Sequence, residues 1–298
     1  MQDVFKKIEK IAPTDANILI LGENGTGKDL VAKAIHQRSL RSNKPFVKVD
    51  AGSLTETLFE SELFGYKKGA FTDAKEDRMG RFEAANSGTL FLDEIGNISL
   101  QQQARLLTVL QNRQVTRLGS NQPAAIDIRL ICATNGPFAA LADETRFRKD
   151  LIYRINTVEI TIPPLRKRGS DIGMLAKHFV KLYAAKYFKP DMELDLAALN
   201  KLGQYHFPGN VRELQYVIER AVIMSEDDII NETDLIFSSL ENQLQQEQDD
   251  AADFRLSTVE RNAIQKVIEK HNGNITKAAK ELGLTRTALY RRLSKYDI

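Results

Sequence analysis

Cysteine is nearly missing from this chain: its 298 residues include one, Cys132. A single thiol cannot close an internal disulfide and cannot supply the cysteine cluster of a structural zinc site. Long apolar runs are missing too. No stretch approaches the ~20 residues that a membrane helix needs, and the amino-terminal end lacks a signal-peptide pattern. These absences predict a cytoplasmic protein with no membrane partner. An excess of one charge is also missing, because 42 Lys and Arg stand against 40 Asp and Glu. Whole-chain charge therefore says little about partners, and its local distribution says more. No internal repeat of about 20–50 residues is evident. The length suits one large core with a small accessory domain.

The apolar run Asn17-Ile18-Leu19-Ile20-Leu21 has the length of a buried parallel strand. It leads into Gly22-Glu23-Asn24-Gly25-Thr26-Gly27-Lys28, after which Leu30, Val31, Ala34 and Ile35 recur at helical spacing. Strand, glycine loop and helix in that order are the context of a phosphate-binding loop. The glycines let backbone N–H groups curl around an anion, the helix start adds partial positive charge, and Lys28 reaches the outer phosphates. Asp29 stands where a Ser or Thr hydroxyl usually meets magnesium, so any metal contact there runs through water. The alternative for the loop is a plain glycine turn between strand and helix.

A second strand, Thr89-Leu90-Phe91-Leu92, ends in the carboxylates Asp93 and Glu94. Asp93 suits a magnesium ion, and Glu94 suits orienting or deprotonating the water that attacks a γ-phosphate. Taken with the loop at 22–28, ATP hydrolysis with Mg2+ is the chemistry these residues point to. A third run, Ile128 to Thr134, ends at Asn135, at the carboxyl end where ligands of open α/β sheets bind. Asn135 is a candidate to sense the γ-phosphate or position water; a turn-forming asparagine before Gly136-Pro137 is the alternative.

Between the two halves of this site in sequence lies a short island, Gly69-Ala70-Phe71-Thr72-Asp73-Ala74, flanked by Lys67-Lys68 and Lys75-Glu76-Asp77-Arg78. It is too short for a buried element. Either Phe71 folds back onto its own domain, or a mobile tip presents it to another protein.

Thr157 to Ile162 reads as the last strand of the sheet, and Pro163-Pro164-Leu165-Arg166 breaks it at a hinge. From Asp171 to about Ile236 the period turns helical, with Leu175, Phe179, Leu182 and Tyr183 on one face and Val211, Leu214, Val217, Ile218 and Ala221 on another helix. Residues 238–253 hold glutamines and carboxylates without Lys or Arg, the composition of a solvated linker. Ser257-Thr258-Val259-Glu260 forms a capping box, with Val259, Ala263, Ile264, Val267 and Ile268 as the helix that His271 ends. Ile275–Leu282, a Gly283-Leu284 turn and Thr285–Leu293 then read as a helix-turn-helix. From 271 to 298 six Lys or Arg face two acids, an excess of four that matches a phosphate footprint. Thr285 suits the cap of the second helix, and Arg286, Thr287 and Arg291 are its candidate DNA contacts.

The loop at 22–28, the hexapeptide at 69–74, Gly88–Glu94 and Phe207-Pro208-Gly209-Asn210-Val211-Arg212-Glu213-Leu214 occur in that order. Together they resemble the AAA+ domain of sigma-54-dependent transcriptional activators, over nearly the whole chain, and the carboxyl end resembles a Fis-type DNA-binding domain. The resemblance implies an α/β AAA+ P-loop ATPase with a parallel sheet (1–165), a helical lid (166–237), a linker (238–255) and a small all-α helix-turn-helix domain (256–298). It implies an ATP-driven activator that binds upstream double-stranded DNA and remodels the sigma-54 RNA polymerase holoenzyme. Gly69 to Ala74 would be the sigma-54 contact. Arg148 and Arg154 match arginine fingers acting across a homo-oligomeric, usually hexameric ring, and Arg212 matches a second sensor on the lid. A surface salt bridge is the alternative for each finger, and pairing with Glu213 or Glu219 for Arg212. Asp73 replaces a glycine of the hexapeptide, and Asp50 an asparagine that restrains the catalytic glutamate; two nearby carboxylates would raise one pKa. The chain opens inside the family's first helix, so a longer two-component response regulator or a misassigned start is expected. A DNA-binding regulator whose Asp73-altered loop no longer engages sigma-54 is the alternative function, and a protein-remodelling or helicase-loading motor is a third.

Overall fold

The structure, a computed structural model, describes residues 1–136, 143, 145–237, 260, 264, 267–268, 271 and 274–296. The expected linker at 238–255, and Ser257 to Val259 of the capping box with Ala263, lie outside the described residues. The chain divides into two compact units, Met1–Ile236 and Phe237–Ile298.

In the first unit the chain runs through α1 (Gln2–Ile11), β1 (Ile18–Leu21), α2 (Lys28–Gln37), β2 (Phe46–Asp50), α3 (Glu56–Phe64), β3 (Gly65–Tyr66), β4 (Arg78–Met79) and α4 (Arg81–Ala84). It continues through β5 (Thr89–Asp93), α5 (Leu100–Asn112), β6 (Gln114–Thr116), β7 (Pro123–Ala125), β8 (Arg129–Thr134), α6 (Lys149–Ile155) and β9 (Val158–Thr161). Five of these strands form one parallel sheet in the order β2-β5-β8-β1-β9. Strands covered on both faces read as continuous apolar runs, which is why β1 and β8 are buried throughout. Because alternate residues point to opposite faces, Leu19, Leu90, Leu92 and Cys132 pack with α3, α5 and α6, whereas Ile18, Ile20, Phe91 and Ile131 pack with α1 and α2. Arg129 is fully buried at the start of β8 and donates to the carbonyls of Ile11 and Ala12, neutralising the carboxyl end of α1.

The helical part of this unit comprises α7 (Asp171–Lys186), β10 (Glu193–Leu194), α8 (Leu196–Gln204), α9 (Asn210–Met224) and β11 (Ile229–Ile230). Phe179 and Tyr183 face its core as expected, with Ile172, Ala176, Val180 and Ala184, but Leu182 turns to solvent. The buried stripe is displaced by a quarter turn because α7 packs chiefly on α9, whose buried face carries Leu214, Val217, Ile218 and Ala221.

Asn210 joins the lid to the phosphate loop. It is fully buried and left-handed, with φ 53°, a conformation that asparagine tolerates better than most residues. Its Oδ1 accepts from the Leu165 N–H at 2.8 Å, and its Nδ2 donates to Glu23 Oε2 at 3.1 Å and to the Asn24 carbonyl at 3.0 Å. Next to it, the Val211 N–H donates to the Gly25 carbonyl at 3.0 Å. Gly25 has φ 76°, and a Cβ there would stand 2.2 Å from the Gly209 oxygen, so this approach requires glycine. Replacing Asn210 by Ala leaves the buried Leu165 N–H unpaired and puts a residue less tolerant of the left-handed conformation than asparagine there, together costing roughly 2–4 kcal/mol. Calorimetry of Asn210→Ala is expected to show a thermal midpoint lowered by roughly 5–12 °C.

The second unit holds α10 (Ile275–Glu281) and α11 (Arg286–Tyr296) on a small core of Ile264, Ala278, Ala279 and Leu289. Ala279 is buried, as its small size led one to expect, and Gly283 takes φ 65° between the helices.

Candidate active site

The carboxyl ends of β1, β5 and β8 open on one cleft of about 690 Å3, bounded by the loop at 24–28, Asp50, Asp93, Glu94, Asn135 and, from α9, Arg212. Parallel strands put all their following loops on one edge, so three segments distant in sequence converge there. Gly27, at φ 95°, precedes α2, whose first-turn N–H groups face this cleft. Lys28 is buried; its Nζ donates to the Gly22 carbonyl at 2.9 Å and lies 3.3 Å from Glu94 Oε1.

Glu94 directly follows β5 with φ 54°, a strained conformation for a residue with a side chain and one found disproportionately at functional sites. That turn aims its carboxylate into the cleft, where Oε2 accepts from the Asn135 N–H at 3.3 Å. Gly52 makes room for it, since a Cβ there would come within 2.9 Å of Glu94 Cβ. Asp50 and Glu94 line the same cleft; Asp50 Oδ1 accepts from the Ser53 N–H at 3.2 Å, and Lys28 and Asn135 are partners of Glu94. Asp50 sits beside Asp93 in the strand register.

Asp93 Oδ1 accepts from the Glu94 N–H at 3.1 Å, and Asp93 Oδ2 lies 3.4 Å from Lys48 Nζ. Asp29, at the start of α2, approaches the same ammonium at 3.9 Å. Lys48 escaped the sequence reading because it lies inside a strand without any motif, two residues before the strand end.

Glu23 accepts from both terminal nitrogens of Arg166, at 2.5 and 2.8 Å, and from Asn210. The Arg166 guanidinium holds its carboxyl below the ordinary value. Arg168 donates to the Thr26 carbonyl at 2.9 Å and to the Pro163 carbonyl at 2.8 Å, and burial pulls its pKa down. The hinge predicted from Pro163-Pro164 thus carries two arginines that hold the phosphate loop, which no motif announced. Glu213 and Glu219, the alternative partners of Arg212, are engaged elsewhere: Glu213 accepts from Tyr205 and from the Gly209 N–H, and Glu219 from Lys186 and Tyr187.

Arg148 and Arg154 do not line this cleft. Arg148 pairs with Asp150 at 2.7 Å on the surface, the salt bridge weighed as its alternative, and Arg154 donates to the Leu110 carbonyl at 2.8 Å. Buried Gln103 accepts from the Arg148 N–H, and its own amide donates to the Ile98 and Arg146 carbonyls, which fixes the base of this segment.

The hexapeptide is likewise outside the cleft, despite its place in the sequence. It tips the excursion between β3 and β4, closed by Gly69 N–H to Ala74 O at 2.8 Å and stapled by Asp77 to Lys67. Phe71 rests edge-on against Tyr66, ring centroids 4.9 Å apart, while remaining 43 % exposed. The ring is thus seated on its own domain and still offers a face to solvent. Thr72 and Asp73 are exposed, and Ala74 is buried. Ala70 touches the turn between β6 and β7, close to Gly119, and Lys67 N–H donates to the Leu118 carbonyl.

In the second unit Thr285 Oγ1 accepts from the Ala288 N–H at 3.2 Å, an N-cap for α11. Arg286, Thr287 and Arg291 are exposed along it, whereas Arg292 is paired with Glu260. Asn274 caps α10 in the same way through the Lys277 N–H.

Comparison with known proteins agrees with this geometry. The sigma-54 interaction domain matches residues 1–161, the AAA+ ATPase lid domain residues 166–252, and the Fis family of bacterial regulatory proteins residues 255–296. The chain is 46 % identical over 297 residues to the transcriptional regulatory protein ZraR of Escherichia coli K12, covering 99 % of itself and 67 % of that protein. It is 44 % identical over 304 residues to the nitrogen fixation protein AnfA of Azotobacter vinelandii, of which it spans 56 %. NtrX from Brucella abortus, solved in complex with ATP, superposes with a TM-score of 0.73 at 31 % identity, over the full chain and 68 % of NtrX. Among the described residues no helix is long and apolar enough to cross a membrane. The chain belongs to the sigma-54-dependent transcriptional activators, with an AAA+ ATPase domain, its helical lid and a Fis-type helix-turn-helix.

Proposed function

We propose that the cleft binds and hydrolyses ATP with magnesium, that the Phe71 loop turns this hydrolysis into remodelling of the sigma-54 RNA polymerase holoenzyme, and that the helix-turn-helix docks the protein on upstream DNA. In this reading the chain is the output part of a two-component response regulator. The observation that carries the proposal is the convergence of Lys28, Asp93 and Glu94 on one cleft roofed by Arg212. A triphosphate with its metal fits the donor set: glycine-loop N–H groups and Lys28 for phosphate oxygens, carboxylate oxygens for a hard cation. Asp93 would hold the cation directly, and Asp29 would act through water. When bound, magnesium supplies charge neutralisation on the phosphates.

The residues of the chain supply the rest. Lys28 now shared between Gly22 and Glu94 would turn to the outer phosphates, which releases Glu94 to orient water. Asn135 stands at Glu94 to sense that change. The loop at 22–27 cradles the phosphates, and Arg212 reaches the nucleotide from the lid. Arg148 and Arg154, outside their own cleft, suit a finger role in the cleft of a neighbouring subunit of a ring, usually six-membered. Asp50, now a cap for Ser53, is less apt to restrain Glu94 than the asparagine usual there.

On the second unit, exposed Arg286, Thr287 and Arg291 on the capped helix α11 suit contact with double-stranded DNA. One observation favours the alternative of DNA binding without sigma-54 engagement: exposed Asp73 adds a carboxylate beside Thr72 at the loop tip.

Three measurements test this. Glu94→Gln is expected to lower ATP turnover by at least ~100-fold while nucleotide affinity persists. Phe71→Ala is expected to keep turnover and to lose retention of sigma-54 in the presence of an ATP transition-state mimic; a wild-type chain with full turnover and no retention selects the alternative. Arg148→Ala and Lys28→Ala are each expected to be inactive alone, and a mixture of the two to regain turnover, since each subunit type supplies the part the other lacks. No recovery on mixing, with rings formed, counts against fingers acting across the interface.

A further inference from the structure

Lys48 is a cation that neither the phosphate loop nor the end of β5 requires. The strand register explains its reach. Lys48 pairs with Phe91 and Asp50 with Asp93, so residues two apart on β2 and β5 share one face, and the Lys48 stem runs along Phe91 toward the strand ends. Its ammonium stands 5.8 Å from the Phe91 ring centroid, 3.4 Å from Asp93 Oδ2 and 3.9 Å from Asp29 Oδ2. One side chain thus bridges the carboxylate that ends β5 and the one that opens α2. Among the described residues neither carboxylate makes another ion pair.

We propose that Lys48 is a built-in counter-ion of this acidic corner and sets how strongly nucleotide binding depends on a divalent cation. The inference rests on the reading of the cleft as a magnesium-nucleotide site and adds a positioning residue which that reading does not need. Two effects of opposite sign follow from one charge. A polyphosphate arriving without metal meets Asp29 and Asp93, and Lys48 offsets their repulsion. A divalent cation needs the same carboxylate oxygens, and Lys48 competes with it for them. Both the Lys48 and the Asp29 side chains are 41 % exposed, so solvent screens the pairs and the effects are modest.

The test is the affinity of a fluorescent ADP analogue for the 298-residue chain, measured with saturating magnesium and with EDTA. Lys48→Met keeps the stem and removes the charge. It is expected to weaken metal-free binding and to lower the magnesium concentration at half effect, so the EDTA-to-magnesium ratio of dissociation constants rises roughly three- to tenfold. Lys48→Arg restores a cation and is expected to hold the ratio within about twofold of wild type. A purely structural role would weaken both forms together and leave the ratio in place. Should Lys48→Met not fold, Lys48→Gln serves as the neutral variant. An unchanged ratio in the folded neutral variant overturns the counter-ion role alone. A wild-type chain that binds the analogue in neither condition overturns the nucleotide reading, and this inference with it.

Discussion

The hydrogen bonds of one buried amide hold this molecule's two functional layers together. Asn210 stands at the first turn of the lid helix, in a left-handed conformation, and its side chain ties Leu165 of the hinge to Glu23 and Asn24 of the phosphate loop. Arg166 and Arg168 add charged and buried donors to the same loop. A glycine-rich loop has high conformational freedom, and left to itself it would populate many shapes. Here contacts from the lid and the hinge fix its shape. The same contacts tie the position of the lid helix to the shape of the loop.

The cleft is also a problem in electrostatics. Asp29, Asp93 and Glu94 are placed on one edge by the parallel sheet, and three carboxylates in proximity repel. Two lysines balance them, Lys28 against Glu94 and Lys48 against Asp29 and Asp93. The cations come from different elements, α2 and β2, so the balance exists only once the sheet has assembled. Strain is concentrated here as well. Glu94 sits at a positive φ, with Gly52 yielding the space beside it.

Away from the cleft, the Phe71 loop and the β6–β7 turn support one another through Ala70, Gly119 and the bonds of Lys67 and Leu118. The half-exposed Phe71 ring is seated edge-on against Tyr66, a pairing that contributes about 0.5–1.5 kcal/mol beyond the area it buries.

Much of this was legible in the sequence because its physics is local. Continuous apolar runs marked β1, β5 and β8 as buried parallel strands, and the glycine loop followed by a helical period marked the phosphate site. Thr285 announced itself as a helix cap by residue type and place. Other features depend on partners far apart in the chain, and local pattern carries no trace of them. Leu182 turned outward because helix packing, not periodicity, chose the buried stripe. Asp50 and Glu94 share a cleft, yet Ser53 and Lys28 claimed them first. Lys48, Arg166 and Asn210 became site residues through strand register and lid placement, over separations of up to 187 residues. Residue type and short-range order determined which chemistry the chain carries; only the closing of sheet and lid decided which charges meet, since pairing energies depend on distances that the folded chain alone sets.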